Sequence, residues 1–385
     1  MRIRSLFSVL FLIALATQAC QCGKSPEEPG TEPEKETAVD WNKAADSGSL
    51  SLVRHFWNPG KGFFNYDPDK EDGPDKDWSY WPQAHAMDIM VDAYLRTRDE
   101  SYKTIYFDKW YTGVKQKSGG NYYNNYYDDM EWICLTMIRL YEATKDNKYL
   151  GTAQDLWNDI KTGWNEQGGG GVAWTKDRPW SKNACSNGPA GLIAMRLYGI
   201  QKNEADLVWA KKIFEWEYDH LYDPATGKVF DNLNAQTGAI QDWLFTYNQG
   251  TFLGLAHELW KVTNERMYLN IAVKSASFTL TGLSENGVLK SEGMGDGGLF
   301  KGVFVRYFVK LIQDEGLTQS ESKRFASFLD NCANSLWTKG IISTDDPLFG
   351  PDWSRNDGNK DLGTHVSGAA LLEAKALLER NKTGK

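Results

Sequence analysis

Lys115-Gln116-Lys117-Ser118-Gly119-Gly120-Asn121-Tyr122-Tyr123-Asn124-Asn125-Tyr126 runs directly into Tyr127-Asp128-Asp129-Met130-Glu131-Trp132-Ile133-Cys134-Leu135-Thr136-Met137-Ile138-Arg139-Leu140-Tyr141-Glu142-Ala143-Thr144, and the chain turns at once on Lys145-Asp146. The opening dozen are polar, aromatic and Gly-containing, which reads as a loop. The next eighteen carry apolar residues at helical spacing. A two-residue link then leaves room only for an antiparallel neighbour. Long loop, helix, short link: this unit decides the fold, because the rest of the chain repeats its layout.

From about Asp40 onward the spacing predicts twelve helical segments and no strong strand alternation. They cover 40–57, 81–97, 99–112, 127–144, 147–162, 186–199, 203–221, 247–262, 266–281, 299–313, 319–337 and 364–381. Short links follow the even-numbered segments: Thr97-Arg98-Asp99, Lys145-Asp146, 199–203, Thr263-Asn264 and 314–318. Long loops precede them, through 58–80, 115–126, 163–185, 223–246, 282–298 and 338–363. In an up-down array every long loop then falls on one end. The layout predicts an all-α chain folded as an (α/α)6 barrel, with the even helices inside and a cleft built over their N-termini. An open helical solenoid is the other arrangement of such hairpins, but no sequence motif recurs at a fixed period.

Composition narrows the function. The chain has 385 residues and a formal net charge of -8, which disfavours nucleic acid and a purely electrostatic hold on an anionic membrane. It carries 16 Trp, 18 Tyr and 17 Phe, many in polar, Gly-rich stretches. Aromatic faces in a wet groove match the C–H faces of sugar rings, although general burial accounts for about half of them. Arg2 and Arg4, the apolar run Leu6 to Ala16, and Thr17-Gln18-Ala19-Cys20 read as a bacterial lipoprotein signal over residues 1–19, with Cys20 lipidated. Residues 20–39 are Pro-, Glu- and Lys-rich and read as a disordered tether, leaving 40–385 as one catalytic domain. The expected location is the outer membrane, on the cell surface or the periplasmic face, held by the lipid anchor alone. Monomer is the default state. Cys134, Cys185 and Cys332 share no metal-ligand spacing, a buried free thiol is the preferred reading of Cys134, and no cofactor or metal is expected.

Asp128 and Asp129 are the candidate chemistry. One Asp at a helix start reads as an N-cap. Two side by side repel each other and ask for another role. Glycoside hydrolysis needs two carboxyl groups about one bond, one to protonate the leaving oxygen and one to attack or to activate water. Crowding two acids also separates their pKa values.

Tyr127-Asp128-Asp129-Met130-Glu131-Trp132 resembles the Asp-Asp motif of glycoside hydrolase family 76, the endo-α-1,6-mannanases. So do Trp174 with Lys182-Asn183-Ala184-Cys185-Ser186-Asn187-Gly188-Pro189, Tyr247-Asn248-Gln249-Gly250, and Phe300-Lys301-Gly302-Val303-Phe304-Val305-Arg306-Tyr307. The resemblance implies an (α/α)6 fold, retention, Asp128 as nucleophile, Asp129 as general acid/base, and α-1,6-mannan as the polysaccharide substrate. Candidate sugar contacts on the rim are Trp81, Gln83, Tyr127, Asn183, Asn187, Asp242, Tyr247, Asn248, Gln249 and Lys301. Capping and turn formation compete for Asn183 and Asn187, and ion pairing for Lys301. Other readings are another (α/α)6 glycosidase or a non-catalytic glycan-binding lipoprotein; a binder has no need of the paired acids.

Overall fold

The computed structural model describes residues 38–68 and 79–383. The signal segment, Cys20 and nearly all of the tether lie outside the described residues. Twelve α-helices are present among those described: α1 (Trp41–Phe56), α2 (Tyr80–Thr97), α3 (Asp108–Lys117), α4 (Tyr127–Thr144), α5 (Asn147–Ile160), α6 (Ala184–Gln201), α7 (Glu204–His220), α8 (Thr246–Thr263), α9 (Arg266–Gly282), α10 (Asp296–Ile312), α11 (Gln319–Ser335) and α12 (Leu362–Thr383). The even helices form a ring in which α2, α4, α6, α8, α10 and α12 each pack on the next, and α12 closes back on α2. That closure makes a barrel of what might have been an open solenoid. Helices α5, α7 and α9 lie outside α4, α6 and α8, and α1 lies against α12.

Burial follows position. Every residue of α6 from Ala184 to Met195 is buried, as is every residue of α8 from Thr246 to His257. A helix apolar all round belongs inside. The outer α5 instead buries a single stripe, Tyr149, Ala153, Leu156, Trp157 and Ile160. Glycine sets how closely inner helices approach. A Cβ on Gly250 would lie 2.5 Å from the Phe304 Cα, and one on Gly302 would lie 2.7 Å from the Ser367 Cα.

A local device turns four of the hairpins. Four inner helices end on a left-handed residue, Arg98, Lys145, Lys202 and Asn264, with φ between 56° and 60°. Such a residue frees the next amide to start an antiparallel helix. In three links a Thr precedes it. Thr97, Thr144 and Thr263 bond the carbonyl four residues back and accept the amide of Asp99, Asp146 and Glu265. Asp146 and Asn203 then cap α5 and α7. The repeat sits in the links, not at a fixed period, so a search for even spacing passes over it.

The long loops hold more structure than the sequence suggests. They contain β1 (Trp57–Asn58) with β2 (Phe63–Phe64), the three-stranded β3 (Ser181–Asn183), β4 (Asn232–Asn234) and β5 (Ala239–Gln241), and β6 (Ser284–Glu285) with β7 (Val288–Leu289). Strands of two or three residues are too short to show alternation. The third segment also starts as a π-helical stretch, Lys103–Phe107, before α3 runs on to Lys117. Toward the C-terminal halves of the inner helices a cavity of about 290 Å³ is lined by paired charges, with Asp88 and Asp92 bonding Arg139 of α4 and Arg306 of α10.

Candidate active site

Helix α4 begins at Tyr127, and its N-cap residue is Tyr126, whose side chain makes no cap bond. Asp128 and Asp129 occupy the first turn. Neither caps the helix, and neither forms an ion pair among the described residues. The chain's other Asp-Asp pair, Asp345-Asp346, behaves differently: Asp346 is tied to Arg54 and to His55.

The two acids meet different surroundings. The Asp128 Oδ2 accepts the Trp174 indole N–H at 3.2 Å and the Cys185 thiol at 3.4 Å. Its Oδ1 is buried and bonds no described residue. The Asp129 Oδ2 accepts the Asn124 amide at 2.9 Å. Burial raises the Asp128 carboxyl to about 6, with the thiol and indole donors pulling the other way. Asp129 is raised well above the ordinary range, first by burial, then by the negative charges of Asp128 and Asp296, against the Asn124 donor. Burial raises both carboxyls and the charge of one raises the other, so the pair does not lose both protons together, the condition that acid/base chemistry at one bond requires.

The loops put these partners in place. The Trp174 carbonyl accepts the Tyr127 N–H at 2.9 Å, which brings its indole over the start of α4. Tyr126 stands edge-on to Trp174 with ring centroids 5.2 Å apart. On the other flank Trp81 donates its indole N–H to Asp296 at 2.8 Å. Trp81 also leads into a run of neighbouring rings through Phe300 and Phe245 to Trp243, which is 57% exposed. Trp174 thus meets Asp128 directly, and Trp81 reaches the site through Asp296, whose charge acts on Asp129.

Of the expected sugar contacts, Trp81 is half-buried with its indole on Asp296, and Asp242 is exposed. Tyr247 is buried and stacks on Phe300 at 3.9 Å. Tyr127 turns inward, its hydroxyl on Thr162. Asn183 is buried and accepts the Ser181 hydroxyl. Five expectations are corrected: Gln83, Asn187, Asn248, Gln249 and Lys301 are fully buried and bond protein groups. Gln83 bonds both the N–H and the carbonyl of Phe64. Asn187 does the same with Val172. Gln249 donates to the Val229 carbonyl, Lys301 to the Pro351 carbonyl, and Asn248 to the Asp231 carboxyl. The reason is positional. The long loops fold down over the inner-helix N-termini, so first-turn polar groups lie beneath them and pin their backbones.

Three site residues escape the sequence reading. Asn124 sits in the quoted loop, but nothing local shows that its amide reaches Asp129. Asp296 stands within Gly293-Met294-Gly295-Asp296-Gly297-Gly298. The sequence starts that helix at 299, whereas it starts at Asp296, which puts this acid on the rim. Cys185 is one of three buried free thiols among the described residues, and only the packing of α6 on α4 brings it to Asp128.

A closed barrel of helical hairpins bearing two crowded carboxyls, one of them held by an indole, is the site of a glycosidase. The sequence model of glycosyl hydrolase family 76 matches residues 40–384, and the chain belongs to that family. Among solved structures it is similar to the α-1,6-mannanase of Salegentibacter sp. HEL1_6, with 41% identity over 88% of this chain and 100% of that one, at a TM-score of 0.84. An inactive variant of that enzyme, with two consecutive aspartates changed to alanine, was solved in complex with α-1,6-mannotetrose (41% identity, 88% and 100% coverage, TM-score 0.83). A mannan endo-1,6-alpha-mannosidase of Candida glabrata is 25% identical over 325 residues, 76% of this chain and 71% of that one.

Proposed function

We propose that the chain is an endo-acting α-1,6-mannanase that works with retention, with Asp128 as nucleophile and Asp129 as general acid/base. The observation that carries this reading is the unequal environment of two adjacent, half-buried acids that cap no helix. The inactive double-aspartate variant of the Salegentibacter mannanase supports the same pair, and its bound oligosaccharide supports the substrate.

In the first step the Asp128 carboxylate bonds to the anomeric carbon as the glycosidic C–O bond breaks. Asp129 gives its proton to the departing oxygen. In the second step Asp129, now a carboxylate, takes a proton from water; the water oxygen bonds to the anomeric carbon and Asp128 leaves as carboxylate. Two inversions give retention. The rate of the first step needs Asp128 ionised and Asp129 protonated, which places the acid limb of activity near pH 6.

Asp128→Ala and Asp129→Ala, made separately, are each expected to lose hydrolysis of linear α-1,6-mannan while still binding it. Full turnover in either one overturns the assignment. Proton NMR of the first-formed products reads retention directly as the α-anomer; an initial β-anomer refutes it. The anchor belongs to the proposal too: Cys20 is lipidated and holds the enzyme at the outer membrane. Cys20→Ala is expected to lose palmitate labelling and leave the membrane fraction; unchanged membrane retention argues against it.

A further inference from the structure

The inner ring's first turns meet at Asp128 through an element that the two-acid mechanism does not use. Cys185 opens α6 and donates its S–H to the Asp128 Oδ2 at 3.4 Å, next to the Trp174 indole N–H on the same oxygen. Behind it stands the Tyr247 phenol, in the first turn of α8, near enough to the Cys185 sulfur for the two groups to interact. Tyr247 is itself clamped against Phe300 of α10 in a parallel stack 3.9 Å apart. Asp231 stands behind the thiol and the phenol. Its carbonyl takes the first amide of α6, and its carboxyl takes the Asn248 amide of α8. A chain of contacts thus runs from α10 through α8 and α6 to one oxygen on α4.

We infer that Cys185, backed by Tyr247, is the positioning residue for the nucleophile: its thiol fixes the rotation of the Asp128 carboxylate while bonding it only weakly. This rests on the reading of Asp128 as nucleophile. A carboxylate turns freely about its Cβ–Cγ bond unless donors hold it, and a reacting atom displaced by an ångström loses much of its rate. A hydroxyl would hold as well but would stabilise the anion more and make it a poorer nucleophile. A thiol is a weak donor, so orientation comes with little loss of basicity. Its own titration stays out of the way, because burial and the nearby Asp128 push the thiol well above its ordinary range and keep the proton on sulfur. The groups facing Asp128 are Asp129 and Glu131 from α4, Cys185 from α6 and Tyr247 from α8; Glu131 is fully buried and raised well above its usual range, so it stays neutral.

The sign of the test follows from what each variant does to the bond on Oδ2. Cys185→Ala removes a donor that favours the ionised carboxylate, so the acid limb of kcat/KM moves up by about half a pH unit and kcat falls about tenfold with KM near wild type. Cys185→Ser keeps a donor and strengthens it, so the acid limb moves down and most of the kcat lost in alanine returns. Tyr247→Phe keeps the ring on Phe300 and removes only the hydroxyl, giving a smaller change in the alanine direction. A cysteine that only fills space would make serine and alanine behave alike. The series is run on linear α-1,6-mannan with Asp128→Ala as the dead control, and circular dichroism confirms the fold of each variant. Opposite shifts for alanine and serine support the assignment. Acid limbs that coincide in wild type, Cys185→Ala and Cys185→Ser overturn it. Should Cys185→Ala fail to fold, Cys185→Ser and Tyr247→Phe decide by the direction of their limbs. Wild-type turnover by Asp128→Ala would instead sink the nucleophile reading itself, so the two failures are told apart.

Discussion

Replacing Asp128 by asparagine removes a charge that its burial makes costly. The folded carboxyl is raised to about 6, against roughly 3.9 in an unfolded chain. Its folded pKa exceeds its unfolded one, so the folded state holds the proton over that interval and wild-type stability falls as pH rises from about 4 through 6. Two units at about 1.4 kcal/mol each give roughly 3 kcal/mol as an upper bound, and partial access to solvent at the rim lowers this to about 2 kcal/mol. Asparagine does not titrate. The stability difference between variant and wild type should therefore be about 2 kcal/mol more favourable to the variant at pH 7.5 than at pH 4. Taking the difference between two pH values cancels any fixed cost of burying the amide –NH2 where Oδ1 stood. Urea unfolding followed by tryptophan fluorescence at pH 4, 5, 6 and 7.5 measures it, with the midpoint gain growing through the interval and levelling above it. The same protein should be inactive on mannan, so stability and catalysis move in opposite directions. A difference that stays flat across pH would mean the Asp128 carboxyl is not desolvated, and the account of how the two acids are told apart would fall.

The neighbours of Asp129 give a pair of opposite expectations. Asp296→Asn removes a charge that raises Asp129, so the alkaline limb of kcat/KM should move to lower pH, by less as salt is added. Asn124→Ala removes a donor to the ionised form, so the same limb should move to higher pH; both limbs moving one way would contradict the geometry. Lys301→Met leaves the Pro351 carbonyl without its donor and should cost about 1–3 kcal/mol in urea unfolding with KM little changed. A large rise in KM at full stability would return Lys301 to the list of sugar contacts.

Much of the site's address was legible from residue spacing. The α4 bounds are those that the apolar periodicity gives, Tyr127 to Thr144, because that run is long, apolar and bracketed by a Gly-containing loop and a two-residue turn. The acid pair therefore sits where a linear reading puts it, at the mouth of an inner helix. The rim amides mislead for a related reason. Gln83, Asn187 and Gln249 do stand in inner first turns, but the sequence does not say that the loops fold down on them. An amide suits a sugar hydroxyl and a peptide group equally, since both donate and accept.

Local pattern alone determined the helix count, the alternation of short links with long loops, and the placing of Asp128 and Asp129 side by side. These depend on interactions within a few residues, which sequence records directly. Tertiary packing decided that α12 meets α2 to close the ring, that Asp128 and Asp129 meet different donors, and that a thiol from α6 touches the carboxylate of α4. Desolvation and partner identity come from segments tens of residues away, and no short window of sequence contains both ends of such a contact.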